Sequence, residues 1–492
     1  MQRVQRTIHL IVAVIIFSGC STSEDNQIVD ARPSGSGPEP QAHPFGENQT
    51  AADFKLKKHR ADLQNETEPI RPFVTFTDVT AESGLHFRYY GSPSDQAYMV
   101  EQNSGGIAVF DYDGDNVPDV FMANGSHFKN PAREADQSSQ YFRGLGDCHF
   151  ESVTRKAGLE LFSFGMGACA GDFDNDGFSD LFVACFGKNI LFHNQGDGTF
   201  LQVPETELPA DKSWSCSPAF ADLDGNGTLD LYVVNYVDWN SDDAPCNPPN
   251  ARHLRRTCSP TAFSATPDQL FKNVGDGVFQ EVGSLGGIAD KLDGKGLAMG
   301  IIDVDHDGKL DIYVANDATA NSLFVNRGDL TFSNLSIQYG VAVSQDGIHG
   351  ASMGVGIADF DRDGKNDIFV TNFRNQVNDL FQSLGDAGFV FANSTTGLDL
   401  ASRSKLSFGT IFRDFNGDSF PDIFIANGHI WDLTSLGPQF DYKMQPSLML
   451  NEAGHRFRDV SEEAGSYFKS EWLGRSVASG DLDNDADLDL VI

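Results

Sequence analysis

Basic residues are scarce in this chain: 35 Lys and Arg stand against 70 Asp and Glu, a formal net charge of −35. Nucleic-acid binding wants a basic face, so that class of partner is excluded. Catalytic signatures are missing too: no G-x-S-x-G, H-E-x-x-H, P-loop or C-x-x-C-H occurs. Long apolar runs are absent. The longest, near the N-terminus, covers roughly ten residues, too few to span a bilayer as a helix. Seven cysteines in 492 residues are too few for a disulfide scaffold.

Aspartate is abundant, and it is patterned. DFDNDGFSD at 172–180 sets Asp172, Asp174, Asp176 and Asp180 at positions 1, 3, 5 and 9, with Gly177 at 6. Carboxylates so crowded repel one another unless a hard cation gathers them. Calcium takes six to eight oxygens, and the EF-hand uses the same alternation with a glycine at position 6. The EF-hand also needs a glutamate at 12 and flanking helices. Here position 12 is Val183, and the flanks read as strands.

The pattern occurs seven times, beginning at Asp111, Asp172, Asp222, Asp303, Asp359, Asp414 and Asp481. The candidate ligands are Asp111, Asp113, Asp115 and Asp119; Asp172, Asp174, Asp176 and Asp180; Asp222, Asp224, Asn226 and Asp230; Asp303, Asp305, Asp307 and Asp311; Asp359, Asp361, Asp363 and Asp367; Asp414, Asn416, Asp418 and Asp422; and Asp481, Asp483, Asp485 and Asp489. Up to seven Ca²⁺ ions would bring the net charge to about −21, relieving self-repulsion that opposes the compact state. Asn116, Ser419 and Ala486 replace glycine at position 6, and Asn416 removes a charge, so weaker sixth and seventh sites are expected.

The flanks repeat as well. Five residues before each loop stands Gly106, Gly167, Ser217, Ala298, Gly354, Gly409 or Ser476, so something must press close to that strand face. An apolar strand such as LYVVN or IFVTN follows each closing aspartate, as far as LVI at the end. A hairpin such as LFHNQGDGTF comes later. Each repeat thus holds about four strands. Residues 73–492 divided by seven give 60 per repeat, which predicts an all-β, seven-bladed β-propeller with its last blade truncated. A linear β-solenoid, the rival, needs shorter and more regular rungs.

D-x-D-x-D-G-x-x-D between strands, with L-x-x-N-x-G-x-G-x-F downstream, resembles the FG-GAP/VCBS repeats of integrin α-chain propellers. FTDVTAESGLHF at 76–87, NYVDW at 235–239, YVANDATANSLFVN and ANGHIWD at 426–432 are similar to the cartilage acidic protein family and its bacterial relatives. The resemblance implies a calcium-loaded propeller with the loop residues above as ligands. In that family an UnbV-type module follows the propeller. The sequence reads as a fragment or a product cut short, because it stops at Ile492 without that module or the last hairpin. A lone strand at 76–79 and the final loop are complementary deficits. Residues 73–80 are therefore expected to pair into the last blade, which remains one strand short.

Residues 1–20 read as a lipoprotein-type signal with Cys20 as the lipidated residue; an ordinary signal peptide is the alternative. Residues 21–72 read as a disordered tether, and 73–492 as the propeller. Cys246 and Cys258, in the insert that lengthens one interval to 81 residues, suit a disulfide. Cys148, Cys169, Cys185 and Cys216 read as buried thiols, with a Cys169–Cys185 bridge as an alternative. The functional expectation is an exported module at the outer membrane or cell surface, or else periplasmic or secreted, that binds a protein or glycan. The competing expectation is a polysaccharide lyase or sugar dehydratase, which requires His349, His429 and a partner such as Arg374 to converge.

Overall fold

A computed structural model describes residues 5–11 and 73–492, apart from 92–97, 103–104, 127–137, 209–211, 241–256, 276, 290–292, 433, 435–436 and 438–440; for 5–11 only the backbone is described. Cys20, Cys246 and the expected tether lie outside these residues.

The described residues are mostly strand and turn, with short helices at Asn393–Thr396 and Asp399–Ser402. Near the N-terminus lie β1 (Gln5–Ile11) and β2 (Phe73–Asp78). The first repeat holds β3 (Ile107–Phe110), β4 (Asp119–Met122), β5 (Gln140–Gly146) and β6 (His149–Ser152). The second holds β7 (Phe164–Gly171), β8 (Asp180–Lys188), β9 (Ile190–Asn194) and β10 (Phe200–Gln202). The third holds β11 (Lys212–Ala221), β12 (Asp230–Asn235), β13 (Gln269–Asn273) and β14 (Phe279–Glu281). The fourth holds β15 (Gly296–Ile302), β16 (Asp311–Asn316), β17 (Ser322–Asn326) and β18 (Phe332–Asn334). The fifth holds β19 (Ser352–Ala358), β20 (Asp367–Asn372), β21 (Asp379–Ser383) and β22 (Phe389–Phe391). The sixth holds β23 (Ser407–Arg413), β24 (Asp422–Asn427), β25 (Ser447–Asn451) and β26 (Phe457–Asp459). The last holds β27 (Ala478–Gly480) and β28 (Asp489–Val491).

Within each of the first six repeats the strands pair antiparallel in sequence order, as a propeller blade requires. The second and third repeats are also joined, through Lys212–Trp214 of β11 and Phe186–Lys188 of β8. The second strand of each repeat is buried on both faces, because a neighbouring repeat covers each side; β12, β16, β20 and β24 have no exposed residue. Cores therefore lie between repeats. Phe360, Phe369 and Leu380 of the fifth pack with Phe412, Ile423 and Phe457 of the sixth. Each such side chain contributes roughly 1.5–3 kcal/mol by burial.

The first strands surround one axial cavity of about 280 Å³. Gly106, Gly167, Ser217, Ala298, Gly354, Gly409 and Ser476, one from every repeat, all line it. Their small size has a direct cause. A Cβ on Gly167 would stand 2.1 Å from the Cys216 carbonyl oxygen, and one on Gly354 2.3 Å from that of Phe408. The neighbouring first strand is the object that presses on this face.

The ring closes through β2. Its Phe76 N–H donates to the Ala464 carbonyl at 2.8 Å, as Phe389 N–H does to Tyr339 between the fourth and fifth repeats. Val74 and Phe76 share a core with Leu490 and Ile492. Leu482 and Val491 share another with Val120 and Phe142 of the first repeat. Residues 73–78 thus complete the last sheet, whose order is β2-β1-β28-β27. The sheet differs from expectation in having four strands. β1, inside the stretch read as a signal, pairs parallel to both β2 and β28 and fills the third place.

Cys169 and Cys185 are not bridged. Cys169 lies opposite Phe182 and Cys185 opposite Gly165, so the register holds the two thiols four residues apart along β7.

Candidate metal centres in the acidic loops

Every acidic loop links the first strand of its repeat to the second. The first aspartate organises the turn: Asp172 accepts from the Asp176 N–H at 3.0 Å and the Gly177 N–H at 2.8 Å. Two positions per loop, not one, adopt left-handed backbone. Position 4 holds Asn175 (φ 60), His306 (φ 56) or Arg362 (φ 62), and position 6 holds Gly177 (φ 96), Gly308 (φ 82) or Gly364 (φ 88). Ser419 and Ala486 keep the same turn with φ 72 and 70, a strain of order 1 kcal/mol or more each for a residue with a Cβ.

The closing aspartate has a second role that the sequence pattern conceals. Asp180 is fully buried; its Oδ2 accepts from the Phe173 N–H at 3.0 Å and its Oδ1 from the Asn194 N–H at 2.8 Å. It ties the loop to the hairpin strand. Asp119, Asp230, Asp311, Asp367 and Asp422 accept equivalent pairs. Burial, only partly offset by these N–H donors, pushes their carboxyls up, to about 7 for Asp180 and about 8 for Asp422.

The L-x-x-N asparagine then reaches the repeat before. Asn194 Nδ2 donates to the Tyr112 carbonyl, Asn273 to Phe173, Asn326 to Leu223 and Asn451 to Phe360, at 2.7–2.9 Å. These clasps join repeats one to two, two to three, three to four and five to six. Ser383 and Gly144 hold the corresponding places in repeats five and one.

The residue before that asparagine points at the loop. Arg143 bonds Asp113 at 2.6 Å and Asp115 at 2.7 Å. His193 Nε2 lies 2.9 Å from Asp174, Lys272 Nζ lies 2.6 Å from Asp224, and Gln382 donates to Asp361 at 2.6 Å. In repeats four and six this place holds Val325 and Leu450, which offer no charge. Arg143, His193 and Lys272 were missed in the sequence reading, although their register relative to L-x-x-N was visible there. Cys148 was also missed as a site residue. Its Sγ lies 3.9 Å from Asp489 Oδ2 in the last loop, and burial beside these carboxylates raises its thiol.

The ligand sets are brought together much as their spacing implies. Side-chain oxygens of Asp111, Asp113 and Asp115 lie within 4.8 Å of one another, as do those of Asp172, Asp174 and Asp180, and of Asp222, Asp224 and Asp230. Asp113 Oδ1, Asp303 Oδ1 and Asp305 Oδ1 are buried without a hydrogen-bond partner. An all-oxygen set with buried acceptors lacking donors suits a hard divalent cation. Asn416 fits less well, since its amide donates to Asp418 at 3.3 Å.

His429 packs against Phe373, the neighbour of Arg374, with ring centroids 5.6 Å apart. His349 is exposed, whereas His429 is buried and its Nδ1 accepts from the Trp431 N–H at 3.0 Å. Arg374 pairs with Asp441 at 3.4 Å.

Two curated relatives and one solved structure are similar to this chain. A curated relative, cartilage acidic protein 1 of Xenopus tropicalis, is 25% identical over 439 residues, covering 85% of this chain and 60% of its own. The protein of that name from Homo sapiens is 26% identical over 353 residues, covering 66% and 46%. The chain therefore spans about half the length of these relatives. Among solved structures, an Agrocybe aegerita lectin described as recognising non-reducing terminal N-acetylglucosamine aligns with 15% identity and a TM-score of 0.42, over 72% of this chain and 79% of that one. The profile of the FG-GAP-like repeat matches residues 111–183, 172–233, 303–370, 359–425 and 414–492, and the chain belongs to that family.

Proposed function

We propose that this protein is an exported, lipid-anchored β-propeller that binds several Ca²⁺ ions and serves as a cell-surface interaction or adhesion module for a protein or glycan. The observation that carries the reading is the set of acidic loops, with buried oxygens on Asp113, Asp303 and Asp305 that lack a donor. Calcium supplies positive charge and a fixed oxygen geometry there. The chain's own part is to hold the carboxylates: the first aspartate is set by backbone N–H groups, and the closing aspartate is fastened to the hairpin. Neutralising these charges stiffens one end of every sheet and presents the loops as a rigid surface.

An enzyme acting on polysaccharide or sugar is the weaker reading. Of its expected residues, His349 is exposed, while His429 is buried and accepts from the Trp431 N–H in its own loop. In this reading attachment rests on Cys20, and cleavage before that residue removes β1, leaving β2 and β28 to close the last sheet without the strand between them. Cys20→Ser is expected to move the full-length protein into the soluble fraction; retention in membranes would remove the anchor from the proposal. The interaction role is tested by screening protein and glycan arrays with the calcium-loaded chain. Ligands bound with calcium and released by EDTA support it, and turnover of an arrayed polysaccharide would favour the enzyme.

A further inference from the structure

A second cavity, of about 190 Å³, opens at the other end of the sheets. Asp317 follows the last residue of β16 and Trp431 comes shortly after β24, whereas the acidic loops precede those strands. The cavity wall is mostly apolar: Met99, Met353, Phe373, Phe408 and Trp431 form much of it.

Two acceptors break this apolar lining. Asp317 Oδ2 accepts the Tyr236 hydroxyl at 2.6 Å, while its Oδ1 accepts no hydrogen bond among the described residues. Gln102 Oε1 is buried and also lacks a partner. The backbone holds Asp317 firmly. Its N–H donates to Lys295 at 2.8 Å, and the next N–H, of Ala318 at φ 58, donates to Gly350 at 2.9 Å. Burial raises the Asp317 carboxyl to about 6, against the Tyr236 hydrogen bond and the Lys295 charge, so it is ionised at neutral pH.

The aromatic wall is also fixed. Trp431 Nε1 donates to Thr257 Oγ1 at 2.9 Å, and its ring lies 5.9 Å from that of Phe373. Thr257 adjoins Cys258, which is disulfide-bonded and also lines the cavity. Arg475 stacks its guanidinium on Phe408 at 4.3 Å and spends its N–H groups on the carbonyls of Gln102, Gly428, Gly474 and His429.

We infer that this cavity binds a small organic cation, an ammonium carried on an apolar body about one ring in size. Acceptors without donors demand a donor, since a hydrocarbon ligand would leave both desolvated and unpaired. A carboxylate ligand would meet Asp317 at close range. A sugar would bring more hydroxyls than this wall can satisfy. An ammonium carries the donors these acceptors lack and is itself drawn to aromatic faces, while its apolar body meets the rest of the wall. The size agrees, since a cavity of about 150 Å³ holds a benzene ring. This site is independent of the metal loops and of the proposed surface role.

The test is calorimetric titration of the calcium-saturated full chain with benzylamine, benzyl alcohol and benzoate at physiological salt. Benzylamine is expected to bind one saturable site, with benzyl alcohol at least about tenfold weaker and benzoate silent. Asp317→Asn is expected to weaken benzylamine by about tenfold or more while leaving benzyl alcohol unchanged. Met353→Trp, which fills the cavity, is expected to remove binding. Equal affinity for amine and alcohol, or benzylamine binding that survives Met353→Trp, would overturn the inference; the latter would place the amine in the acidic loops. Should Asp317→Asn not fold, the three-ligand comparison on the unmodified chain together with Met353→Trp decides.

Discussion

The first and fourth acidic loops share one pattern, DYDGDNVPD and DVDHDGKLD, and differ in what leans over them. Arg143 reaches across from β5 and bonds two of the first loop's aspartates. Val325, at the same place in the fourth repeat, brings no charge; Asp303 and Asp305 each keep a buried oxygen with no donor, against one on Asp113 in the first loop, and the only cation on the fourth loop among the described residues is its own Lys309, on Asp307. A guanidinium already supplies much of what a cation would supply, whereas two buried unpaired carboxylate oxygens leave that demand open. If these loops hold metal, the hairpin strand of the same repeat is expected to rank them alongside the loop sequence. The expectation of weaker sixth and seventh sites rests on residues inside the loops, and the hairpin strand adds a second contribution.

The largest effect should come from removing metal altogether. With EDTA the melting temperature of the full chain is expected to fall by about 10 °C or more, since each ion at a thousandfold over its Kd stabilises by about 4 kcal/mol. Coincident calorimetric traces with and without chelator would dissolve the comparison, because no loop would then need a cation. Next, Asp305→Ala is expected to remove about 4 kcal/mol of calcium-dependent stability, and Asp113→Ala less than half of that. Equal losses would mean that Arg143 does not compete.

Exchanging the leaning residues sharpens the contrast. Val325→Arg is expected to lower the calcium stoichiometry by one ion, measured by competition with a chromophoric chelator. Arg143→Val is expected to tighten the first loop by about tenfold, or about 1.4 kcal/mol. If neither variant moves its loop, the hairpin strand is not the determinant.

The smallest effect concerns the seams. Asn326→Ala should cost about 1–3 kcal/mol in urea unfolding, since it leaves the Leu223 carbonyl buried without its donor. Ser383→Asn, by supplying a clasp toward the fourth repeat, should add up to about 1 kcal/mol. A destabilised Ser383→Asn would mean that the seam between repeats four and five is too tight for the longer side chain.

Much of the architecture is legible from local pattern. The acidic loops, the strand after each and the hairpin carry their own turn and period signals. The small residues before each loop foretold a close neighbour, and Gly167 and Gly354 show it to be the next first strand. Closure by residues 73–78 followed from counting strands. Pairings that need a second repeat were not legible. No property of LFHN announces that Asn194 will reach the Tyr112 carbonyl 82 residues away.

The sequence by itself determined the all-β repeat, its register and the family, because each rests on interactions within a few residues, repeated seven times. Only the tertiary structure decided the charge left over in each loop, the seams that are clasped, and the cavity where Asp317 and Gln102 meet an aromatic wall. Those features join side chains from different repeats. Their strength depends on how much water the neighbours exclude, and a linear pattern carries no record of that.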